Sequence, residues 1–242
     1  MSLPGVAPFR TTWHRDVPDE AIAWAMHLHH SRGQVEWCLE WLRASYPASR
    51  VVLIADGDGE DYTEVSRAFG ADLVVGEHLH ALATCHLYVA RVLEALAAGG
   101  EPYCFKIDPD TAVWRRLRSL PAFSCVFGTL ETITEGRLAE VDEAPNVQGG
   151  CIGLTTDVVR AILEAGILNE NTCVRDALST WARCDDMRRT VERGQFCDDY
   201  VISWAADSLG IPLVSHPEIR ARWRREVADA ARTCAVTHPH KR

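Results

Sequence analysis

No apolar stretch in this 242-residue chain approaches the roughly 20 residues needed to cross a bilayer. A basic excess is missing too: 34 acids stand against 25 bases, for a formal charge of -9. That balance argues against a nucleic-acid partner and against an anionic membrane surface, both of which want a basic face. The opening residues, "MSLPGVAPFRTTWHRDVP", lack the apolar core of a secretory signal, so the expected location is cytoplasmic. No CxxC pair occurs among the nine cysteines, which are scattered singly from Cys38 to Cys234. An odd, unclustered set in such a chain reads as reduced, buried thiols rather than a disulfide framework or zinc cage. G-x-G-x-x-G is also missing between strand and helix. "ADGDGEDY" puts acids where a pyrophosphate would sit, which excludes a dinucleotide oxidoreductase. There is no internal repeat and no low-complexity tract.

What is present is a soluble-type composition, 47% apolar with mean hydropathy -0.10. "AIAWAMHLHH" (21–30) has the length and character of a buried strand, and "GQVEWCLEWLRASY" spaces Val35, Cys38, Leu39 and Leu42 as a helix does. "RVVLIADGDGED" is a second strand stopped by a turn cluster, "TEVSRAFG" a short helix and "ADLVVG" a third strand. A long helix ending in two glycines leads to a fourth strand, "PYCFKI". Later come a strand in "AFSCVFGTL", an acidic loop (131–145), a strand and helix in "NVQGGCIGLTTDVVRAILEAG", and a helix in "CDDYVISWAADSLG" closed by Gly210. The short strand "IPLVSH" and a tail, "CAVTHPHKR", finish the pattern. Alternating strands and helices predict an α/β fold with a mostly parallel sheet. The expected organisation is a leader (1–19) and one domain (20–242). Its first half (20–113) binds a nucleotide, and its second (114–242) is a smaller, more irregular lobe.

The fourth strand delivers two acids, Asp108 and Asp110, one residue apart across Pro109. In a parallel sheet, ligands bind outside the carboxyl ends of the strands. Pro109 stiffens the turn, and the two carboxylates can aim at one point. Mg²⁺ or Mn²⁺ bound to a phosphate suits such a pair, since both ions take oxygen ligands and keep substrate oxygens in their shell. A solvated Asp-Pro turn is the other reading of the same residues.

Five stretches, in order, then carry a resemblance. "LIADGDGED", "YCFKIDPDTAV", "VQGGCIGLTTDVVRAI", "FCDDYVISWAADSLGIPL" and "VTHPHK" together resemble the GT-A glycosyltransferases. More narrowly they are similar to the Fringe and β-1,3-galactosyl/N-acetylglucosaminyltransferase group. The resemblance implies a GT-A (Rossmann-like) fold and a metal-dependent, inverting transfer of sugar from a UDP-sugar to the hydroxyl of a small-molecule or glycan acceptor. It makes Asp110 the principal ligand of Mn²⁺ or Mg²⁺, with Asp108 sharing the ion or accepting a hydrogen bond from the donor's ribose. His238 becomes the third ligand, with His216 and His240 as alternatives, and Lys241 meets a phosphate. Asp199 becomes the general base; two acids at a helix N-terminus, favoured by the macrodipole, also account for Asp198 and Asp199. Asp56 accepts the uracil N3–H or simply forms a turn. His30 and Arg32 touch base or diphosphate, or else cap a helix and lie on the surface. Gly149 and Gly150 admit the sugar closely, or mark a bulge.

Two departures stand out. Pro109 replaces a central acid of the family pattern, and the membrane anchor and luminal cysteine pairs of Golgi relatives have no counterpart here. Two rival functions fit parts of the pattern: a sugar nucleotidyltransferase, for which "MHLHHSRGQVEW" is a poor phosphate loop, and a non-catalytic nucleotide-sugar binder that needs no base.

Overall fold

Alternate residues of the buried segment "IAWAMHL" point into two different cores. Ile22, Trp24, Met26 and Leu28 join one cluster, and Ala23 and Ala25 join the other. This period of two is what an extended strand imposes, and a strand buried on both faces needs no polar alternation. The computed structural model describes residues 12–79, 84–131, 146–168, 198–221 and 234–238.

In chain order the first half holds β1 (Trp13–Arg15), β2 (Ile22–Leu28), α1 (Arg32–Ser45), β3 (Arg50–Asp56), α2 (Thr63–Phe69), β4 (Asp72–Gly76), α3 (Cys85–Ala97) and β5 (Tyr103–Ile107). There follow β6 (Ala112–Val113), β7 (Ser119–Pro121), β8 (Val126–Glu131), β9 (Asn146–Thr155) and α4 (Thr156–Glu164). The rest is α5 (Asp198–Ser208), β10 (Leu213–Ser215), β11 (Ile219–Ala221) and β12 (Val236–His238).

The fold is α/β around a mixed seven-stranded sheet, ordered β10-β8-β9-β5-β2-β3-β4. Neighbours pair in parallel throughout β5-β2-β3-β4 and at β10-β8, whereas β9 runs antiparallel to both of its neighbours. Strands from residues 20–113 and from 114–242 therefore share one sheet. The helix α1 covers one face with Val35, Cys38, Leu39 and Leu42, the four positions its spacing predicts. On that face Trp24 stacks on Phe105 at 4.4 Å between ring centroids. The helices α3, α4 and α5 cover the other face, through residues such as Val89, Val159 and Val201. Three layers result, with the parallel strand ends left to carry polar side chains.

Glycines close several elements at positive φ: Gly70 after α2 at 57°, Gly100 beyond α3 at 81° and Gly210 after α5 at 68°. The sequence tail expected after "IPLVSH" is in part structured. β12 pairs antiparallel with β6 and parallel with β11, in a separate three-stranded sheet. Strands of two or three residues, such as β6 and β12, are too short to leave a hydrophobic period in the sequence.

Candidate metal centre

β5 is buried along its whole length, and its alternation decides what reaches the strand end. Tyr103, Phe105 and Ile107 pack toward α1, while Cys104 faces the opposite core. Lys106 follows Cys104 in that row, and Asp108 continues it past the end of the strand.

The next residues form a tight turn. The Thr111 N–H donates to the Asp108 carbonyl at 3.0 Å, enclosing Pro109 and Asp110. Pro109 sits at the second position of this turn, where its fixed φ is pre-set. Two further bonds fasten the turn to β9, both accepted by the Gly150 carbonyl. They come from the Asp108 N–H at 3.0 Å and from the Thr111 hydroxyl at 2.7 Å. The turn then runs into β6, where Ala112 and Val113 pair with Thr237 and Val236.

That pairing carries His238 to the turn. Its Nε2 lies 3.0 Å from Asp110 Oδ1 and 3.5 Å from Asp108 Oδ2. One ligand atom from each of Asp108, Asp110 and His238 lies within 4.8 Å of the others. The 3.0 and 3.5 Å edges to His238 are near the ~3.0 Å that an ion with bonds of about 2.1 Å leaves between adjacent ligands. The donor set, two carboxylate oxygens and one imidazole nitrogen, suits Mn²⁺ or Mg²⁺. Gly150 makes the approach of the histidine possible, because a Cβ there would overlap the His238 ring. The pairing of β8 with β9 slips between Gly128 and Leu130, and Gly149 and Gly150 fall on the β9 side of that slip. The bulge reading of these glycines is thus observed, and the space beside Gly150 belongs to a histidine.

Lys106 is the residue the sequence reading missed. It is 1% exposed, with its ammonium 2.5 Å from Asp108 Oδ1 and in contact with the carboxylate of Asp198. Burial alone would lower its pKa, but Asp108 and Asp198 outweigh that and hold it well above the ordinary lysine value. The protein packed around Asp108 pushes the Asp108 carboxyl up, with help from Asp198 and against the pull of Lys106 and His238. Its side chain is still 31% exposed, so solvent moderates that shift. A signal for Lys106 does exist in the sequence: a charge inside the apolar run "YCFKI" must find buried partners.

Asp198 and Asp199 open α5, where the helix N-terminus favours both acids. Asp199 is 9% exposed, and its Oδ1 accepts the Tyr200 N–H at 2.9 Å. It adjoins Asp198, and through Asp198 and Lys106 it is linked to Asp108.

The end of β3 holds a second polar cluster. The Asp56 side chain is 1% exposed, with His27 Nε2 at 3.2 Å, His29 Nδ1 at 3.3 Å, His78 Nδ1 at 3.5 Å and an Arg91 nitrogen at 3.9 Å. Burial drives the His27 pKa down to about 4 even with Asp56 alongside, so this imidazole is neutral at pH 7.

Other expected residues sit differently. Arg32 begins α1 with its guanidinium on Glu36 at 2.9 Å and Glu64 at 3.2 Å, as a surface arginine does. His30 is exposed and lies against His29, with ring centroids 3.8 Å apart. His216, the alternative metal ligand, is fully buried. Its Nε2 donates to the Ser119 carbonyl at 2.9 Å, and its Nδ1 accepts the Glu218 N–H at 3.2 Å. Both ring nitrogens are spent on the protein, which leaves none for an ion. His240 and Lys241 lie outside the described residues. No protein-family model matches the chain, and no curated protein matches it at a significant level.

Proposed function

We propose that this chain is a metal-dependent, inverting glycosyltransferase of GT-A type, moving a sugar from a UDP-sugar to an acceptor hydroxyl. One observation carries the reading. Asp108, Asp110 and His238 come from two distant segments and converge at the carboxyl end of a parallel strand. That is where an open α/β sheet binds its ligand. A reversed β9 inside an otherwise same-direction sheet is consistent with the GT-A expectation.

The residues divide the work as follows. Asp110, His238 and Asp108 would hold Mn²⁺ or Mg²⁺, the Asp108 Oδ2 facing His238 while its Oδ1 stays on Lys106. When bound, the ion supplies Lewis-acid neutralisation of the diphosphate leaving group. Lys106 keeps Asp108 and Asp198 from repelling each other and fixes the Asp108 carboxylate in one rotamer. Asp56, buried and carrying an oxygen without a hydrogen bond, accepts the N3–H of the uracil base. Asp199 takes the proton of the acceptor hydroxyl as it attacks the anomeric carbon.

Thermal denaturation with and without UDP-sugars and Mn²⁺ tests the site. Stabilisation should require both partners, because a ligand that binds only the folded state raises its stability. UDP-sugar turnover across an acceptor panel tests the chemistry. Asp199→Asn should abolish turnover and keep the stabilisation. A wild type that is stabilised but never consumes a donor is a nucleotide-sugar binder.

A further inference from the structure

We infer that His29, Asp58 and His78, with Asp56 beneath them, form a second cation site that takes a borderline transition metal such as Zn²⁺. The site does not rest on the nucleotide reading; it uses the same Asp56 Oδ2 that was assigned to the uracil N3–H, so ion and base are alternative occupants of that oxygen.

The geometry comes first. One ligand atom each from His29, Asp58 and His78 lies within 4.8 Å of the others. His78 Nδ1 is 3.0 Å from Asp58 Oδ1 and 3.5 Å from Asp56 Oδ2, and His29 Nδ1 is 3.3 Å from the same Asp56 oxygen. A tetrahedral zinc with bonds of about 2.0–2.1 Å sets its ligands on the order of 3.3 Å apart. The observed edges bracket that value.

Ordinary hydrogen bonding leaves part of this cluster unexplained. His29 Nδ1 and Asp56 Oδ2 are both buried from solvent, and neither has a hydrogen bond of good geometry among the described residues, although they lie 3.3 Å apart. A buried polar group without a hydrogen bond is costly. A shared cation satisfies both atoms at once. Charge agrees as well: among the described residues, Arg91 is the arginine that reaches this pair of carboxylates, at 3.9 Å from Asp56.

The backbone holds the ligands in place. His29 follows β2, Asp58 lies in the turn after β3, and His78 follows β4. Those three strands are adjacent and parallel, so the ligands come from neighbouring ends of one rigid sheet. The Gly57 N–H donates to the Gly76 carbonyl at 2.6 Å, which ties the Asp58 turn to the His78 strand. A Cβ at Gly59 would overlap the His29 carbonyl, so the turn can close only with glycine there.

Chemistry sets the metal. Two imidazoles with carboxylates favour Zn²⁺ or Co²⁺ over Mg²⁺, whereas the oxygen-rich Asp108, Asp110 and His238 set favours Mn²⁺ or Mg²⁺. The chain thus holds two centres of different selectivity.

Co²⁺ titration of the metal-stripped full chain in excess Mg²⁺ tests this, read by the visible absorption of a four-coordinate cobalt ion and by its displacement with Zn²⁺. Wild type and Asp110→Asn should both develop the band at one equivalent. His78→Gln and Asp58→Asn should lose at least about 100-fold in affinity, since even outer-shell changes cost 10–100-fold. Unchanged thermal melts without metal would show that the two variants fold. A wild type without the band, a band that survives His78→Gln, or one that Asp110→Asn removes overturns the inference. Dependence of the thermal melts on UDP-sugar and Mn²⁺ is a separate readout, so failure of either reading is visible without the other.

Discussion

The Gly150 backbone holds the His238 ring in a place no other residue would leave open. Its carbonyl also receives both bonds that fasten the Asp108 turn. One glycine thus positions the histidine and the turn that face each other across the centre. Gly150→Ala should push the ring away and weaken Mn²⁺ binding by at least about tenfold, a loss of roughly 1.4 kcal/mol. Calorimetric titration of Mn²⁺ into the variant checks this; unaltered affinity would show that the ring does not bind the ion.

The proposed centre makes Asp110 the principal ligand, and one oxygen of Asp108 is also held by Lys106. Asp110→Asn should therefore cost more Mn²⁺ affinity than Asp108→Asn. Titration of both variants under one buffer decides it, and the reverse order would make Asp108 the principal ligand.

Lys106 is buried against two carboxylates, and Lys106→Met leaves those carboxylates facing each other. Breaking one side of a buried ion pair costs about 3–5 kcal/mol. Urea denaturation without metal should show a loss of that size. A loss under about 1 kcal/mol would mean that solvent already screens the cluster.

Acid should destabilise the protein earlier than carboxylate titration alone would. Burial lowers the pKa of His27 to about 4, and it lowers those of His86 and His216 as well. An unfolded histidine titrates near ~6.5, so below that pH the unfolded chain takes up protons that the folded chain refuses. The histidine contribution is fully present above about pH 6.5 and is lost as pH falls toward the folded values, by up to ~1.4 kcal/mol per pH unit per residue. Urea midpoints measured from pH 7 to pH 5 should fall, and His27→Gln should flatten the slope. Midpoints that hold steady over that range would show that these imidazoles are not excluded from protonation.

Much of the sheet was legible because its strands are strongly patterned. "RVVLIAD" and "YCFKI" are continuous apolar runs, and α1 shows its buried face at the expected spacing. The acids at the end of β5 were legible for the same reason, since a strand end fixes where the next side chains emerge. Lys106 was only half legible: a lone charge in an apolar run asks for buried partners, but which ones is known only once both faces of the strand are covered. The His29, Asp58 and His78 cluster was hidden. Its members are far apart in sequence and meet only through the parallel order of β2, β3 and β4. His216 looked like a ligand in sequence, yet its Glu218 and Ser119 contacts make it part of the scaffold.

β12 is three residues long, and it joins the rest through β6 and β11, both about as short. Burial holds it nonetheless: Val236 and Thr237 are 0% and 1% exposed, and the N–H groups of Ala235 and Val236 both donate to the Glu218 carbonyl. His238 rides on it. Any opening of this small sheet would withdraw the imidazole while the seven-stranded sheet stayed intact.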